Sequence, residues 1–252
     1  MTNILLNGYL GRMGRVIQEL VKEREDLTIV AGVDYTTLDN EVFSFATYTS
    51  YADVAETPDV IIDFSNPAAL DNMLAYAVST KTPIILCTTG YSDEQLAAIE
   101  DAAKVIPVFR SANMSIGINL ISELAKKAAE LLYPDFNIEI VEAHHNQKLD
   151  APSGTALMIA DEIASVLEDK VDYEYDRSTR REKRPVDEIG IHAVRAGTIV
   201  GEHEVLFGGP DEVITIKHHA ASRKIFANGA LNAAAWLPGK PAGNYSMKDL
   251  IG

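Results

Sequence analysis

Fifteen residues near the middle of the chain, Glu142 to Ala156, read EAHHNQKLDAPSGTA. They bring two histidines, a lysine, two acids and a Ser-Gly-Thr turn to the boundary between a strand-like and a helix-like run. Imidazole exchanges a proton near neutral pH, so His144 is a candidate general acid or base. Lys148 can hold an anion or, with a lowered pKa, donate a proton. Ser153, Gly154 and Thr155 offer hydroxyls and unsatisfied backbone N–H groups at a helix start, a seat for a carboxylate. Pro152 stiffens the turn before them. The plainer alternative is a helix cap preceded by surface polar residues, because Ser153 or Thr155 would cap the helix in either case. The convergence of the whole set on an anion-ready helix start favours chemistry. A metal is not expected. Adjacent strand residues such as His144 and His145 point to opposite faces, and no cysteine or third histidine lies nearby at ligand spacing.

A second constellation lies at the start of the chain. An apolar run leads into Gly8-Tyr9-Leu10-Gly11-Arg12-Met13-Gly14 and then a helical pattern. A strand-to-helix turn needs residues tolerant of positive φ, and a pyrophosphate needs bare backbone N–H groups at a helix N-terminus. Such a turn alone is weak evidence, since a purely structural turn also wants glycine. Asp34, 20 residues after Gly14, ends the second apolar run, where a carboxylate can accept hydrogen bonds from the adenosine ribose. The plainer alternative makes Asp34 only a polar residue opening a loop, but the turn and the acid together predict dinucleotide binding. The residues after Asp34 are Tyr35, Thr36, Thr37 and Leu38, none of them basic. Arg12 is the nearest cation and suits the pyrophosphate or the ribose edge. A 2′-phosphate is therefore disfavoured, and NADH is expected over NADPH.

These residues must be held by regular elements. Strand-like runs at Asn3–Asn7, Leu27–Val33, Asp59–Phe64, Pro83–Cys87 and Val105–Phe109 alternate with helical patterns at Gly11–Glu25, Pro67–Ser79 and Ser92–Lys104. This predicts an α/β fold with a Rossmann-like parallel sheet covered on both faces. After Asn113 the pattern changes. A helix is expected at Ile116–Leu132, a strand at Phe136–Ala143, a helix at Thr155–Leu167, and strands at Ile189–Val194, Thr198–Phe207 and Glu212–His218. That is a central α+β segment, with one sheet face left for another use. A helix at Ile225–Trp236 follows.

Composition sets limits. Among 252 residues, 47% are hydrophobic, enough for a sizeable core, and the formal charge of -15 disfavours nucleic acid and anionic membranes as partners. With one cysteine, Cys87, no intrachain disulfide can form. Neither a signal peptide nor a membrane-length apolar run is read, so a cytoplasmic protein is expected. The basic stretch Arg177, Arg180, Arg181, Lys183 and Arg184 reads as a solvated loop rather than a ligand contact.

The two constellations, with CTTGY (Cys87–Tyr91), SANMSIGIN (Ser111–Asn119), VRAGTIVGEHEVLF (Val194–Phe207) and SRKIFANGAL (Ser222–Leu231), resemble the dihydrodipicolinate reductases over nearly the whole chain. The resemblance implies a dinucleotide-binding domain of residues 1–113 and 224–252, and a substrate-binding and tetramerisation domain of residues 114–223. It implies a homotetramer that reduces the dicarboxylate 4-hydroxy-tetrahydrodipicolinate by hydride transfer and enamine protonation, with NADPH possible beside NADH. His144 matches the family's proton donor and acceptor and Lys148 its proton donor. His145, Ser153, Gly154 and Thr155 match the residues that hold the substrate carboxylates. Cofactor contacts would come from Gly8, Tyr9, Leu10, Gly11, Arg12, Met13, Asp34, Cys87, Thr88, Thr89, Ser111, Ala112, Asn113 and Met114. The chain departs from the family pattern at Leu10, at Cys87 (often glycine) and at Met114 (often phenylalanine). Two rivals lack this set: a dehydrogenase acting on aspartate has no reason to carry HHxxKxDAPSGTA, and a nucleotide sensor does not need His144 or Lys148.

Overall fold

The structure is a computed structural model and describes residues 1–36, 41–168 and 170–252; Thr37 and Leu38 lie outside the described residues. The first segment forms β1 (Thr2–Asn7), α1 (Arg12–Val21), β2 (Leu27–Val33), β3 (Ala46–Tyr48), β4 (Val60–Asp63), α2 (Leu70–Thr80), β5 (Ile84–Leu86), α3 (Asp93–Ala103) and β6 (Pro107–Arg110). The central segment forms α4 (Ile116–Leu132), β7 (Asn137–His144), α5 (Gly154–Ala164), β8 (Asp172–Glu174), β9 (Glu188–Arg195), β10 (Glu202–Gly208) and β11 (Val213–His219). The chain ends with α6 (Lys224–Trp236), β12 (Gly243–Tyr245) and α7 (Met247–Ile251). Two compact units result: residues 1–115 with 224–252, and residues 116–223.

The first unit is built on a seven-stranded sheet in the order β12-β6-β5-β4-β1-β2-β3. Every pairing in it is parallel. The central strands are runs such as Ile4-Leu5-Leu6 and Val60-Ile61-Ile62, fully buried because both faces are covered. Alternate side chains serve opposite faces. Ile4 and Leu6 pack with Ile17 and Leu20 of α1 and with Ala230 and Leu231 of α6. Leu5 packs with Leu70 and Met73 of α2 and with Ile99 of α3. The helix α3 begins where expected because Ser92 and Gln95 form a reciprocal capping box.

The second unit has a five-stranded sheet, β11-β10-β7-β9-β8. Strand β7 pairs antiparallel with β10 and parallel with β9. One face carries Ile138, Ile140, Val205 and Phe207 against Ile118 and Ala125 of α4 and Ile159 and Ile163 of α5. By register the opposite face presents Val141, Val194, Glu204, Leu206 and Lys217, and no described helix of this unit covers it.

Several expectations are corrected. Helix α1 stops at Val21, not Glu25, because Lys22 to Glu25 are charged and offer the core nothing to bury. Strand β10 begins at Glu202 rather than Thr198. Gly197 adopts φ 49° and Ile199 N–H closes a turn onto Ala196. The basic stretch is a solvated loop only in part: Arg181 and Lys183 are exposed, but its other three residues are held by acids. Arg177 pairs with Glu139 and Glu188, Arg180 with Glu174, Glu182 and Glu188, and Arg184 with Glu139. No described helix is long and apolar enough to cross a membrane.

Candidate active site

In the first unit the strand β1 ends at Asn7 and the glycine turn follows. Gly8 takes φ 78°, which favours glycine. A Cβ on Gly14 would lie 2.3 Å from the Gly8 carbonyl oxygen, so only glycine lets α1 start this close to the turn. Gly11 caps α1 without any side-chain hydrogen bond, and no acid occupies the first turn. The N–H groups of Arg12, Met13 and Gly14 therefore have no intrahelical acceptor and no competing carboxylate on the helix, which fits a phosphate-bearing cofactor. Arg12 is exposed beside them. The Tyr9 ring is fully buried and Met114 is almost so, both in the core, so only their backbones can meet a ligand. Leu10 and Met13 also pack partly against that core.

Asp34 sits just beyond β2. Its carboxylate accepts from the Leu10 N–H at 3.1 Å and from the Tyr35 N–H at 2.9 Å. The acid is thereby locked to the glycine turn and keeps lone pairs for a ribose. A cavity of about 660 Å³ opens there, bordered by Gly8, Asp34, Tyr35, Tyr51, Asn66 and Tyr76; none of its described lining residues is Lys or Arg. A smaller hollow of about 320 Å³ brings Thr88, Thr89, Ser111 and Ala112 together with Arg110. Asn113 is buried and its side chain accepts from the Ser115 N–H at 2.8 Å. Burial, reinforced by the Asp63 carboxylate, pushes the Cys87 thiol up and keeps it protonated.

Sequence reasoning passes over Asp63. It ends the apolar strand β4 and has no exposed surface. Its carboxylate accepts from Asn7 Nδ2 at 2.8 Å, Ser65 N–H at 3.0 Å, Ser65 Oγ at 2.5 Å and Tyr91 Oη at 3.2 Å. Those donors come from the last residue of β1 and the loops after β4 and β5, three neighbouring strands at the point where a doubly wound sheet receives its ligand. Burial and then Asp63 push the Tyr91 phenol upward, so it stays a donor. An acid closing an otherwise apolar strand is the signal that could have found it.

In the second unit His144 is the last residue of β7 and Ser153 the N-cap of α5. Ser153 Oγ accepts from the Ala156 N–H at 3.2 Å. Gly154 is exposed at the helix start, with Thr155 beside it. His144 Nδ1 lies 2.6 Å from Glu142 Oε2, and the Ser153 N–H donates to Glu142 Oε1 at 2.9 Å. Arg195 of β9 grips the same carboxylate with both terminal nitrogens, at 2.7 and 2.8 Å. Lys148 Nζ pairs with Asp150 at 2.9 Å, which holds the Asp150 carboxyl low. His145 is half-buried on the adjoining turn; desolvation, then the positive charge of Arg223, lowers its pKa. His203 of β10 lies 3.0 Å from Ser153 Oγ, with its ring edge-on to His144 at 5.2 Å. Burial first, and then the His144 charge, lowers His203 to about 4, so it is neutral near pH 7.

Glu142, Arg195 and His203 stand within the sequence motifs at positions to which the sequence alone assigns no role. The first could have been read from strand period, since residues two apart share a face; the others require a pairing across strands. Burial would raise the Glu142 carboxyl, but hydrogen bonds from His144, Arg195 and Ser153 overcome it and hold it at about 2. Because that lies below the usual 4.5, Glu142 stabilises this unit above about pH 4.5 and loses the contribution as pH falls toward 2. Among the described residues no group of three His, Cys, Asp or Glu side chains could hold a metal ion.

An open parallel sheet with a glycine turn on a central strand, in a chain that also carries a histidine–lysine–Ser-Gly-Thr cluster, defines a dinucleotide-dependent oxidoreductase. Family comparison narrows this. The descriptions "Dihydrodipicolinate reductase, N-terminus" and "Dihydrodipicolinate reductase, C-terminus" match residues 2–114 and 117–251. A 4-hydroxy-tetrahydrodipicolinate reductase of Caldanaerobacter subterraneus subsp. tengcongensis is 51% identical, spanning 100% of this chain and 98% of that protein. Its counterpart in Clostridium tetani is 49% identical, spanning 100% and 97%. A dipicolinate-bound dihydrodipicolinate reductase from Paenisporosarcina sp. TG-14 superposes with a TM-score of 0.79 at 26% identity, over 98% of this chain and 97% of that one. The chain belongs to the dihydrodipicolinate reductase family.

The close packing of the glycine turn generates a test. Gly14→Ala forces α1 away from Gly8. Overpacking typically costs about 1–3 kcal/mol, and here it falls on the cofactor turn. NADH affinity, followed by fluorescence titration, is expected to weaken about tenfold or more. Unchanged affinity would remove the turn from the cofactor site.

Proposed function

We propose that this chain reduces 4-hydroxy-tetrahydrodipicolinate to tetrahydrodipicolinate, with loss of water, using a reduced nicotinamide dinucleotide. The observation that carries the reading is the joining of His144, the start of α5 and Arg195 through one carboxylate in a chain of this family. The Gly8–Met13 turn, Asp34, the Cys87–Thr89 loop and the Ser111–Met114 segment would hold the dinucleotide. When bound it supplies the hydride for the substrate ring. Adding a hydride to a conjugated imine leaves an electron-rich enamine carbon that must take up a proton. His144 handles that proton, and Lys148 serves as a proton donor. A positioned acid contributes roughly 10²–10⁴-fold to rate. The first-turn N–H groups of α5, the Ser153 and Thr155 side chains and His145 receive the substrate carboxylates, and Lys148 adds positive charge to a chain of net charge -15.

The direct assay is oxidation of NADH on adding enzymatically generated 4-hydroxy-tetrahydrodipicolinate. Binding of NADH without turnover would favour a nucleotide sensor instead. His144→Ala is expected to lower kcat by roughly 10²-fold or more with NADH affinity kept. Lys148→Ala is expected to raise KM for the substrate and to weaken inhibition by dipicolinate.

NADH is the preferred cofactor in this reading. The Asp34 carboxylate beside a cavity with no described basic lining opposes a 2′-phosphate. Like-charge apposition there costs on the order of 1 kcal/mol, several-fold in affinity. The comparison is kcat/KM for NADH and NADPH at matched ionic strength, since salt screens the repulsion. Equal efficiency with NADPH would defeat the preference and point to Arg12 as the phosphate partner.

The working assembly is a homotetramer formed through the uncovered face of the second sheet. That face mixes Val141, Val194 and Leu206 with the Glu204–Lys217 ion pair, a composition suited to contact with another copy. Light scattering is expected to give four times the 27.5 kDa chain mass, and a monomer at working concentration would refute it. With a single cysteine and no requirement for oxidation, the enzyme is assigned to the cytoplasm.

A further inference from the structure

Glu142 stands outside the residues assigned above to proton transfer and substrate binding, yet it is the most enclosed charged group of the second unit, with no exposed surface. Both its oxygens are occupied. Oε2 faces His144 Nδ1 at 2.6 Å and Arg195 Nη1 at 2.8 Å; Oε1 takes the Ser153 N–H at 2.9 Å and Arg195 Nη2 at 2.7 Å. The donors come from three elements: the end of β7, the end of β9 and the cap of α5.

We propose that Glu142 is a positioning residue: its buried carboxylate fixes the His144 tautomer so that Nε2 exchanges the proton, and ties that ring to the helix start that receives the substrate carboxylates. The inference rests on the reading that His144 handles the proton. An ionised carboxylate only accepts hydrogen bonds, so Nδ1 must carry a hydrogen in either protonation state of the ring. The only nitrogen left to gain or lose a proton is Nε2.

The surroundings keep that atom in place and reachable. A Cβ on residue 201 would lie 3.1 Å from Nε2, so glycine at that position leaves the space beside it open. The His203 ring stands edge-on to His144 at an interplanar angle of 74° and blocks rotation on that side. Arg195 neutralises Glu142 and stops it from acting as a proton sink. The carboxylate, held ionised by its donors, therefore orients the ring while the imidazole does the transfer.

Because Ser153 N–H is bound to the same group, a displacement of Glu142 moves the proton donor and the carboxylate seat together. A residue that merely filled space would not link the two. Glu142→Gln keeps the volume but turns one oxygen into an NH₂ group, which must face a donor, since every neighbour of the carboxylate is a donor.

The experiment has two arms. Nitrogen-15 NMR of the histidine side chains in the unaltered protein is expected to find His144, when neutral, protonated at Nδ1; protonation at Nε2 would overturn the proposal. This measurement needs no variant, and it stands even if Glu142→Gln does not fold. In kinetics, Glu142→Gln is expected to lower kcat at least tenfold and raise KM for the dicarboxylate, with NADH affinity unchanged. On a His144→Ala background the same substitution is expected to change kcat less than twofold, because its effect on turnover passes through the ring. A full tenfold loss on that background would show that Glu142 does not act through His144. Near-normal turnover of His144→Ala alone would instead sink the proton-transfer reading, while the tautomer result would still judge the positioning.

Discussion

A negative charge with no contact to water is the costliest object in the second unit, and its arrangement follows from making that charge tolerable. An unpaired buried carboxylate would take up a proton or unfold the site, so Glu142 persists only because four donors surround it. Those donors fix the register of β7 against β9 and the point where α5 begins. The helix start is therefore set by electrostatics as well as by the Ser153 cap. Breaking such a pair on one side is worse than lacking it altogether, because the surviving partner stays buried.

The first unit solves a similar problem without a cation. Asp63 is as deeply buried as Glu142, but its partners are an amide, a hydroxyl, a phenol and a backbone N–H. Each of these donors satisfies an oxygen that has no access to water. The result is a tie between the end of β1 and the loops after β4 and β5, at the ends of adjacent parallel strands. Parallel sheets leave such loops at one edge by construction, and the acid sets them relative to one another.

The sequence made the larger elements plain where hydrophobic period and length agreed. Strand β2 and helix α4 run over the residues expected of them, Leu27–Val33 and Ile116–Leu132. Strands β3, β8 and β12 have three residues each and are not legible, because Ala-Thr-Tyr, Asp-Tyr-Glu and Gly-Asn-Tyr lack the apolar run that marks the equally short β5. For the site, the grouping of His144, Lys148 and Ser153 was legible, since they lie within one short stretch from the end of β7 to the cap of α5. The role of Arg195 was not, because its partner Glu142 lies 53 residues away and only strand pairing joins them. Nor could spacing say that Tyr9 and Met114 turn their side chains into the core. Composition was blind to the basic stretch for the same reason: Glu139 and Glu188 reach it only once β7 and β9 are paired.

The first unit is assembled from two stretches separated by the whole of the second. Strand β12 pairs with β6, and Ala227, Ala230, Leu231 and Leu237 close the core over Ile4, Leu6 and Ile17. During synthesis residues 1–115 leave the ribosome first and wait for residues 224–252, on the order of 10 s at ~10 residues per second. Throughout that interval one face of the parallel sheet has only α1 to cover it, and β6 is an open edge. The second unit, a continuous segment, can complete its own core meanwhile. Nascent chains of this protein thus leave an apolar sheet face and an open strand edge unfinished for seconds.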